Sequence, residues 1–162
     1  MAPARPALKS TLEVRAELTP EMEQVLTPEA LDFVADLHRA FHHRVEALLD
    51  RRQQRARKLD RGEKLHFLEE TKSVREGDWK VGELPQDLLT RRVEITGPVD
   101  AKMIINALNS GADVFMADFE DSSTPTFENQ VLGQLHLKHA VRKELTFHDP
   151  NKDKHYKLND NV

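Results

Sequence analysis

Residues 97–129, GPVDAKMIINALNSGADVFMADFEDSSTPTFEN, decide how this chain folds, because a short apolar run within them ends in a cluster of acids. The run is residues 112–118, which predict a strand, and Asp118, Glu120 and Asp121 stand at its far end. Carboxylates are costly to bury without partners, so such a cluster at a strand's carboxyl end is expected to meet a metal, bound water, a cationic side chain or a ligand. The stretch therefore predicts a functional site.

Elements of alternating type surround this strand. Short apolar runs bounded by Gly and Pro predict strands, and apolar residues at spacings of three and four predict helices. The predicted order is strand, helix, strand, helix and a pair of short strands around a turn, at residues 92–96, 99–110, 112–118, 127–141 and 146–158. The apolar run of residues 112–118 is typical of a parallel strand buried on both faces. This alternation predicts an α/β fold.

Local signals set the ends and faces of the two helices in this half. Asn109, Ser110 and Gly111 are expected to stop the first helix. Val131 and Leu135 are expected to face inward from the second helix.

The first half of the chain predicts one long helix. Thr27 is suited to cap it, and Pro28 suits its first position. Apolar residues then recur at spacings of three and four, which predicts a stripe facing a core: they are Leu31, Val34, Leu37, Phe41, Val45, Leu48 and Leu49. Residues 1–26 are expected to be loosely held, and residues 60–90 to be a connecting region in which Phe67 and Trp79 pack.

Two histidines on the long helix raise the question of a metal site. His38 and His42 are four residues apart, which would place them on the same face of a helix. The sequence offers no evident third ligand, so we expect them to be surface residues.

Composition excludes several classes of protein. The 162 residues are 38% apolar and 32% charged, and no segment approaches the roughly 18 apolar residues of a membrane span. The net charge of -4 provides no broad attraction to nucleic acid or an anionic membrane, and the basic run at residues 51–58 is expected to be a solvated helix face. No cysteine is present and the N-terminus has no apolar signal core, which favours a cytoplasmic protein.

The acidic cluster has a functional and a structural interpretation. In a strand, Asp118 and Glu120 point to the same side, so two carboxylates would share a direction. Alternatively, Asp121 or the neighbouring serines could simply cap the helix that begins near Thr126. Oxygen ligands of this kind suit Mg²⁺, but their spacing does not determine whether they would bind the ion directly.

The same stretch, followed by Gly133, Gln134 and Leu135, resembles the malate synthase family, and within it the A isoform. The resemblance is specific over residues 91–140, and the N-terminal helix and the KHYKLNDN segment agree with it in order. It implies an acyltransferase of the glyoxylate bypass, linked to the tricarboxylic acid cycle, which condenses glyoxylate with acetyl-CoA and water to give malate and CoA. It also implies Mg²⁺ as cofactor and no nucleic-acid or membrane partner.

The resemblance further implies a division of the chain. Residues 1–90 would be an N-terminal helical clasp and linker, and residues 91–162 would begin a TIM (β/α)8 barrel that is incomplete in this chain. A closed barrel needs eight strands. The family's catalytic arginine, its metal-binding acids and its catalytic aspartate are expected beyond Val162, so we expect residues 1–162 alone to be inactive and prone to self-association through unpaired strand edges.

Four residues can be assigned expected roles by the resemblance. Asp118, Glu120 and Asp121 would support the site by orienting metal-bound water or the catalytic arginine, and Ser122 matches a position that touches acetyl-CoA. No metal ligand and no certain catalytic residue falls within the chain. Two alternatives remain open: a CoA-ester lyase similar to the citrate lyase β subunit, which shares a D-x-E-D motif, and a noncatalytic interaction module.

Overall fold

The computed structural model describes residues 12–162 and contains short strands and helices of both predicted types. The first helices are α1 (Pro20–Glu23), α2 (Pro28–Asp60) and α3 (Lys72–Arg75), with single 3-10 turns at Glu69–Thr71 and Gln86–Leu88. The second half contains β1 (Glu94–Gly97), α4 (Ala101–Leu108), β2 (Val114–Ala117), α5 (Phe127–Val141), β3 (Thr146–Asp149) and β4 (Lys154–Lys157). The predicted α/β order is confirmed.

The chain divides into two compact units. One contains the described residues up to Asp32 together with Pro85–Val162, and the other contains Phe33–Leu84. Because α2 spans residues 28–60, its first residues belong to one unit and the rest to the other. The predicted division into residues 1–90 and 91–162 stays a prediction.

In the first unit, β1 and β2 form a parallel two-stranded sheet, with Glu94 opposite Val114 and Gly97 opposite Ala117. The side chain of Asp113, just before β2, accepts hydrogen bonds from the backbone N–H groups of Arg92 and Val93 at 2.8 and 3.1 Å. These bonds fix the start of β1 beside the start of β2. The connection between the two strands is α4, as expected for parallel neighbours.

Helix ends follow the sequence signals. Asp100 caps α4 by accepting a hydrogen bond from the Met103 N–H, and Gly111 adopts a positive φ of 83° just beyond the helix stop. Glycine adopts that backbone region without steric cost, so the predicted stop after α4 is confirmed. Thr27 accepts a hydrogen bond from Ala30 N–H at 3.2 Å, which is the predicted cap of α2.

The core of the first unit lies between α4, α5 and the two small sheets. Its buried residues are Val99, Ala101, Ile104, Ile105, Ala140, Leu145 and Leu158, and the aromatic rings of Phe115, Phe119 and Phe147 pack against them. The β3–β4 hairpin is antiparallel, with Phe147 opposite Tyr156. The predicted pair of strands around a turn is therefore confirmed, and it contributes directly to the core.

Two packing predictions are wrong. Met116 is exposed, so β2 is not buried on both faces. Phe67 and Trp79 are both exposed in the described structure, and Phe67 instead lies 5.2 Å from the guanidinium carbon of Arg75. The sequence shows that these two side chains are large and aromatic. It does not show whether another element covers them.

The apolar stripe of α2 also departs from its prediction. Leu31 is buried in the first unit, as expected. The remaining stripe residues, in the second unit, are 42–52% exposed: Val34, Leu37, Phe41, Val45, Leu48 and Leu49. Periodicity places these side chains on one face, but the described residues do not cover that face.

The start of the chain falls partly outside the described range. Residues 1–11, which belong to the predicted loosely held start, lie outside it. Within the described part, Thr19 caps α1 and Met22 is buried, so this portion is packed rather than loose. Among residues 12–162, no helix is long and apolar enough to cross a membrane.

Candidate functional site

The loop after β2 is organised around the carboxylate of Asp118. Its Oδ1 accepts hydrogen bonds from the backbone N–H groups of Glu120 and Asp121 at 3.0 and 2.9 Å, and its Oδ2 accepts one from the Ser122 hydroxyl at 2.7 Å. The Ser122 hydroxyl, followed by the backbone N–H of Asp121, lowers the pKa of Asp118 below its usual range. Asp118 therefore remains ionised to lower pH than an ordinary aspartate, and its hydrogen bonds hold the loop in a tight turn.

A buried hydroxyl joins this loop to the loop after β1. Ser123, only 8% exposed, donates to the backbone carbonyl of Asp118 at 2.9 Å and accepts from the backbone N–H of Val99 at 3.4 Å. Because β1 and β2 are parallel, their carboxyl ends meet at one edge, and Ser123 links the two loops that leave this edge.

Helix α5 approaches both loops. Gln130 donates from Nε2 to the Phe119 carbonyl at 2.9 Å, and His136 Nδ1 lies 2.9 Å from the Val99 carbonyl oxygen. The carbonyl can only accept, so the His136 ring carries its hydrogen on Nδ1 in this contact. Thr126 caps the helix by accepting from Asn129 N–H at 3.1 Å.

A pocket of about 460 Å³ lies between these three elements. The loop after β1, the loop after β2 and the first turns of α5 line it, contributing Pro98, Val99, Asp100, Ser122, Ser123, Thr124, Glu128, Asn129, Leu132 and His136. Hydroxyl, amide, imidazole and carboxylate groups dominate the lining. The pocket is therefore suited to a polar ligand that is held by several hydrogen bonds.

The structure brings together part of the predicted site. Asp118 and Ser122 are hydrogen-bonded to each other, and Ser122 also lines the pocket. Asp118, Glu120 and Asp121 do not line it, and the side chains of Glu120 and Asp121 are exposed. The strand ends at Ala117, so Asp118 and Glu120 lie in a bend and do not share the face of a strand. The roles expected for these residues stay predictions.

The structure also tests the alternative that Asp121 or a neighbouring serine caps α5. Thr126, and neither Asp121 nor a serine, provides the cap of α5. The acids after β2 therefore do not serve as the helix cap.

Sequence analysis missed Gln130 and His136, and it considered Ser123 only as a possible cap of α5. Ser123 sits next to a named residue, but nothing in the sequence indicates that its hydroxyl bridges two loops 24 residues apart. The signal for Gln130 and His136 is their place on α5 near Gly133, whose missing side chain leaves room for close contact. A Cβ at Gly133 would overlap Val99 Cγ2 and lie 2.8 Å from Phe119 Cε1.

No metal ligand set is present in the part of the chain that the structure describes. Within residues 12–162, no group of three His, Asp or Glu side chains is arranged to hold a metal ion. His38 and His42 stack with ring centroids 4.4 Å apart, and both are exposed, which confirms the prediction of surface histidines. The described residues therefore do not fit a Mg²⁺ site by themselves.

The chain is an α/β protein, with two parallel strands joined through a helix and a polar pocket at their carboxyl ends, where proteins of this class bind ligands. Comparison with known proteins narrows this class. Residues 10–73 match the family model described as malate synthase, N-terminal domain. The chain is 56% identical to the malate synthase of Myxococcus xanthus over 154 residues, which cover 95% of this chain and 28% of that protein.

Plant relatives give the same result. The malate synthase of Arabidopsis thaliana is 48% identical over 92% of this chain, and the glyoxysomal malate synthase of Cucurbita maxima is 46% identical over 92%. The chain spans about 26% of each of these two proteins. The chain belongs to the malate synthase family and corresponds to an N-terminal portion of its members.

Proposed function

We propose that this chain is part of an enzyme that condenses glyoxylate with acetyl-CoA and water to give malate and CoA. In this proposal the whole protein is an acyltransferase of the glyoxylate bypass. The observation that carries the proposal is the agreement between two independent features: identity of 56% to a malate synthase, and a polar pocket at the carboxyl ends of β1 and β2. Carboxyl-end loops are where enzymes built on parallel β/α units hold their substrates.

The finer architecture is part of the same proposal. We propose that β1 and β2 are the first two strands of a TIM (β/α)8 barrel, with the residues before about 91 as helical clasp and linker. A parallel strand pair joined by a helix is the repeating unit of such a barrel, which supports this assignment. The mixed α/β character alone is common to several other folds.

The chain's own residues would prepare the site without completing it. Asp118, already ionised, holds its loop in one conformation and presents Ser122 to the pocket. Ser122 is the residue that we assign to contact with acetyl-CoA, and Glu120 and Asp121, exposed beside it, would orient groups from other parts of the enzyme. Such supporting contacts fix the geometry of the groups that react.

Mg²⁺ is proposed only for the whole enzyme, with its ligands among residues other than those described. The donor set in residues 12–162 does not fit the ion, so no step of the reaction is assigned to it here.

The experiment is a CoA-release assay with the full-length protein that contains these residues. Thiol release from acetyl-CoA that requires glyoxylate, together with malate as product, is the expected result. The same assay on residues 1–162 alone is expected to give no turnover, because the reacting groups are assigned elsewhere. Activity of the isolated chain would contradict this division of labour, and absence of activity in the full-length protein would contradict the proposed function.

Partners and compartment complete the proposal. We assign glyoxylate and acetyl-CoA as the small-molecule partners, no nucleic-acid or membrane partner, and the cytoplasm as compartment. The isolated chain is expected to self-associate through the open edges of the β1–β2 sheet and the exposed apolar face of α2. A compact monomer by sedimentation would contradict that expectation.

A further inference from the structure

Helix α5 contacts both loops of the pocket through three residues at spacings of three. Gln130, Gly133 and His136 fall within about a third of the helix circumference, since the α-helix has 3.6 residues per turn. The three residues therefore lie on the same side of α5, the side that faces the loops.

Two of the three residues bind the loop backbones. Gln130 donates to the carbonyl of Phe119, two residues beyond the end of β2, and His136 donates to the carbonyl of Val99, two residues beyond the end of β1. Gln130 and His136 are both partly buried, where a hydrogen bond is harder to replace by water. Each loop is thus attached to the helix at the equivalent position after its strand.

The third residue sets the distance. Gly133 brings the backbone of α5 against the side chains of the same two residues, Val99 and Phe119, so closely that a Cβ would overlap Val99. The helix cannot approach the loops further, and the two hydrogen bonds keep it from moving away. Contact from both directions leaves the loops little freedom relative to α5.

We propose that Gln130, Gly133 and His136 form a clamp that sets the separation of the two pocket loops, and that they are positioning residues for the reaction. This inference rests on the proposed function, because the groups being positioned are those of its pocket. Ser123 supplies the direct link between the loops, and the α5 clamp holds that link in register. None of the three clamp residues needs to touch a reacting atom for this role.

Substitutions at Gln130 and His136 in the full-length protein test the clamp. Gln130→Glu keeps the size of the side chain but replaces the donating amide by an acceptor, so its bond to the Phe119 carbonyl is lost. The control is Gln134→Glu, the same change at an exposed position on the same helix. We expect the kcat of the first variant to fall about 10- to 100-fold with a much smaller change in KM, because misplacement of site groups slows the chemical step. The control should match the parent protein.

The second test replaces His136 and asks whether a donor at the Nδ1 position is enough. His136→Asn places an amide N–H near the position of Nδ1 and should retain most of the kcat, whereas His136→Ala should lose it by a similar factor. Recovery by Asn is not expected if the ring merely fills space, since Asn is smaller than His. Equal losses in both variants would overturn the assignment of His136.

A readout independent of activity separates this inference from the proposed function. The Val99 N–H donates to Ser123, whereas the clamp meets Val99 at its carbonyl and side chain, so hydrogen exchange of this N–H reports the link between the loops. We expect faster exchange at Val99 in Gln130→Glu and His136→Ala, with exchange in β3 and β4 unchanged. If the parent protein lacks malate synthase activity, the proposed function fails while this exchange still tests the clamp. Unchanged exchange at Val99 in both variants would overturn the clamp.

Discussion

Helices α5 and α2 both carry apolar residues four positions apart, but their surroundings are opposite. The inward residues predicted for α5, Val131 and Leu135, are buried in the described structure, and the helix lies against two loops and a core. Beyond Leu31, the stripe of α2 is about half exposed. The comparison teaches that spacing identifies the face of a helix that is apolar, whereas burial depends on other elements that the spacing does not specify.

Matched leucine truncations give the largest expected effect. Leu135→Ala on α5 removes a side chain that is 4% exposed, and Leu48→Ala on α2 removes one that is 48% exposed. The first should lower the free energy of unfolding by about 2–5 kcal/mol, because it leaves a cavity. The second should change it by about 0.5 kcal/mol. Urea unfolding followed by far-ultraviolet circular dichroism measures both.

The two leucine variants can also contradict the difference in burial between α5 and α2. If Leu48→Ala costs as much as Leu135→Ala, the stripe of α2 is covered in solution, either by another copy of the chain or by sequence outside it. Repeating the unfolding at several protein concentrations distinguishes these two cases, because only association makes the midpoint depend on concentration.

Glycine-to-alanine substitutions test how closely each region is packed, because each adds a Cβ atom. Gly133→Ala forces a Cβ into Val99 and Phe119, and overpacking of this kind should cost about 1–3 kcal/mol despite the better helix propensity of alanine. Gly82→Ala is the matched control in the other unit, where no heavy atom lies within 4 Å of the added Cβ. Its effect should stay within about 0.5 kcal/mol. A stabilising Gly133→Ala would mean that α5 does not lie so near the loops.

The sequence predicts local structure well where the chemistry is local. Thr27 and Pro28 predict the start of α2, and Asn109 to Gly111 predict the end of α4, because caps and positive φ angles depend on neighbouring residues. The parallel pairing of the two strands also follows from their alternation with a helix. These features need no information about distant residues.

Long-range contacts are where prediction fails. The sequence predicts only a helix stop at Asn109, yet the Asn109 amide nitrogen donates to the Lys157 carbonyl at 2.8 Å and its oxygen accepts from the Asn159 N–H at 2.9 Å. A side chain that bonds a backbone 50 residues away leaves no periodic signal. Ser123 and His136 give no sequence signal of their contacts for the same reason, so the sequence does not show which side chains line the pocket.

A partly buried ion pair gives a smaller, pH-dependent difference between the two units. Lys102 Nζ lies 2.8 Å from Asp149 Oδ2, and Asp149 is only 6% exposed. The hydrogen bond from Lys102 lowers the pKa of Asp149, and the same bond raises the pKa of Lys102. A depressed carboxyl pKa contributes stability above its ordinary value of 3.8, and this contribution is lost as pH falls through the lower folded value.

Asp149→Asn tests this contribution. The variant should be less stable than the parent at neutral pH, and the gap should close as pH falls below 3.8. It should also close at high pH, as Lys102 loses its proton above 10.5. Asp78→Asn, at an exposed position in the other unit, should show no gap at either end. Denaturant midpoints measured across the pH range decide the matter, and a gap that persists below the folded-state pKa would contradict the ion-pair explanation.

The smallest expected effect concerns the loop after β2, whose order comes from hydrogen bonds and not from burial. Ser122→Ala removes the largest cause of the lowered Asp118 pKa, so that pKa should rise toward its ordinary value of 3.8 while the backbone N–H bonds to Asp118 remain. Carboxyl carbon chemical shifts measured against pH follow this change directly. Thr124→Ala is the control, because its hydroxyl makes no bond to Asp118 in the described structure.

The direction of this shift separates two explanations of the acidic cluster. If the Ser122 hydroxyl and the loop amides account for the lowered pKa of Asp118, then Ser122→Ala raises this pKa and loosens the turn without disturbing the core around Ile104. An unchanged pKa would mean that a positively charged group outside this loop dominates the environment of Asp118. The loop would then be ordered by a bound partner or ligand. The two units would differ in what they bind as well as in how their side chains pack.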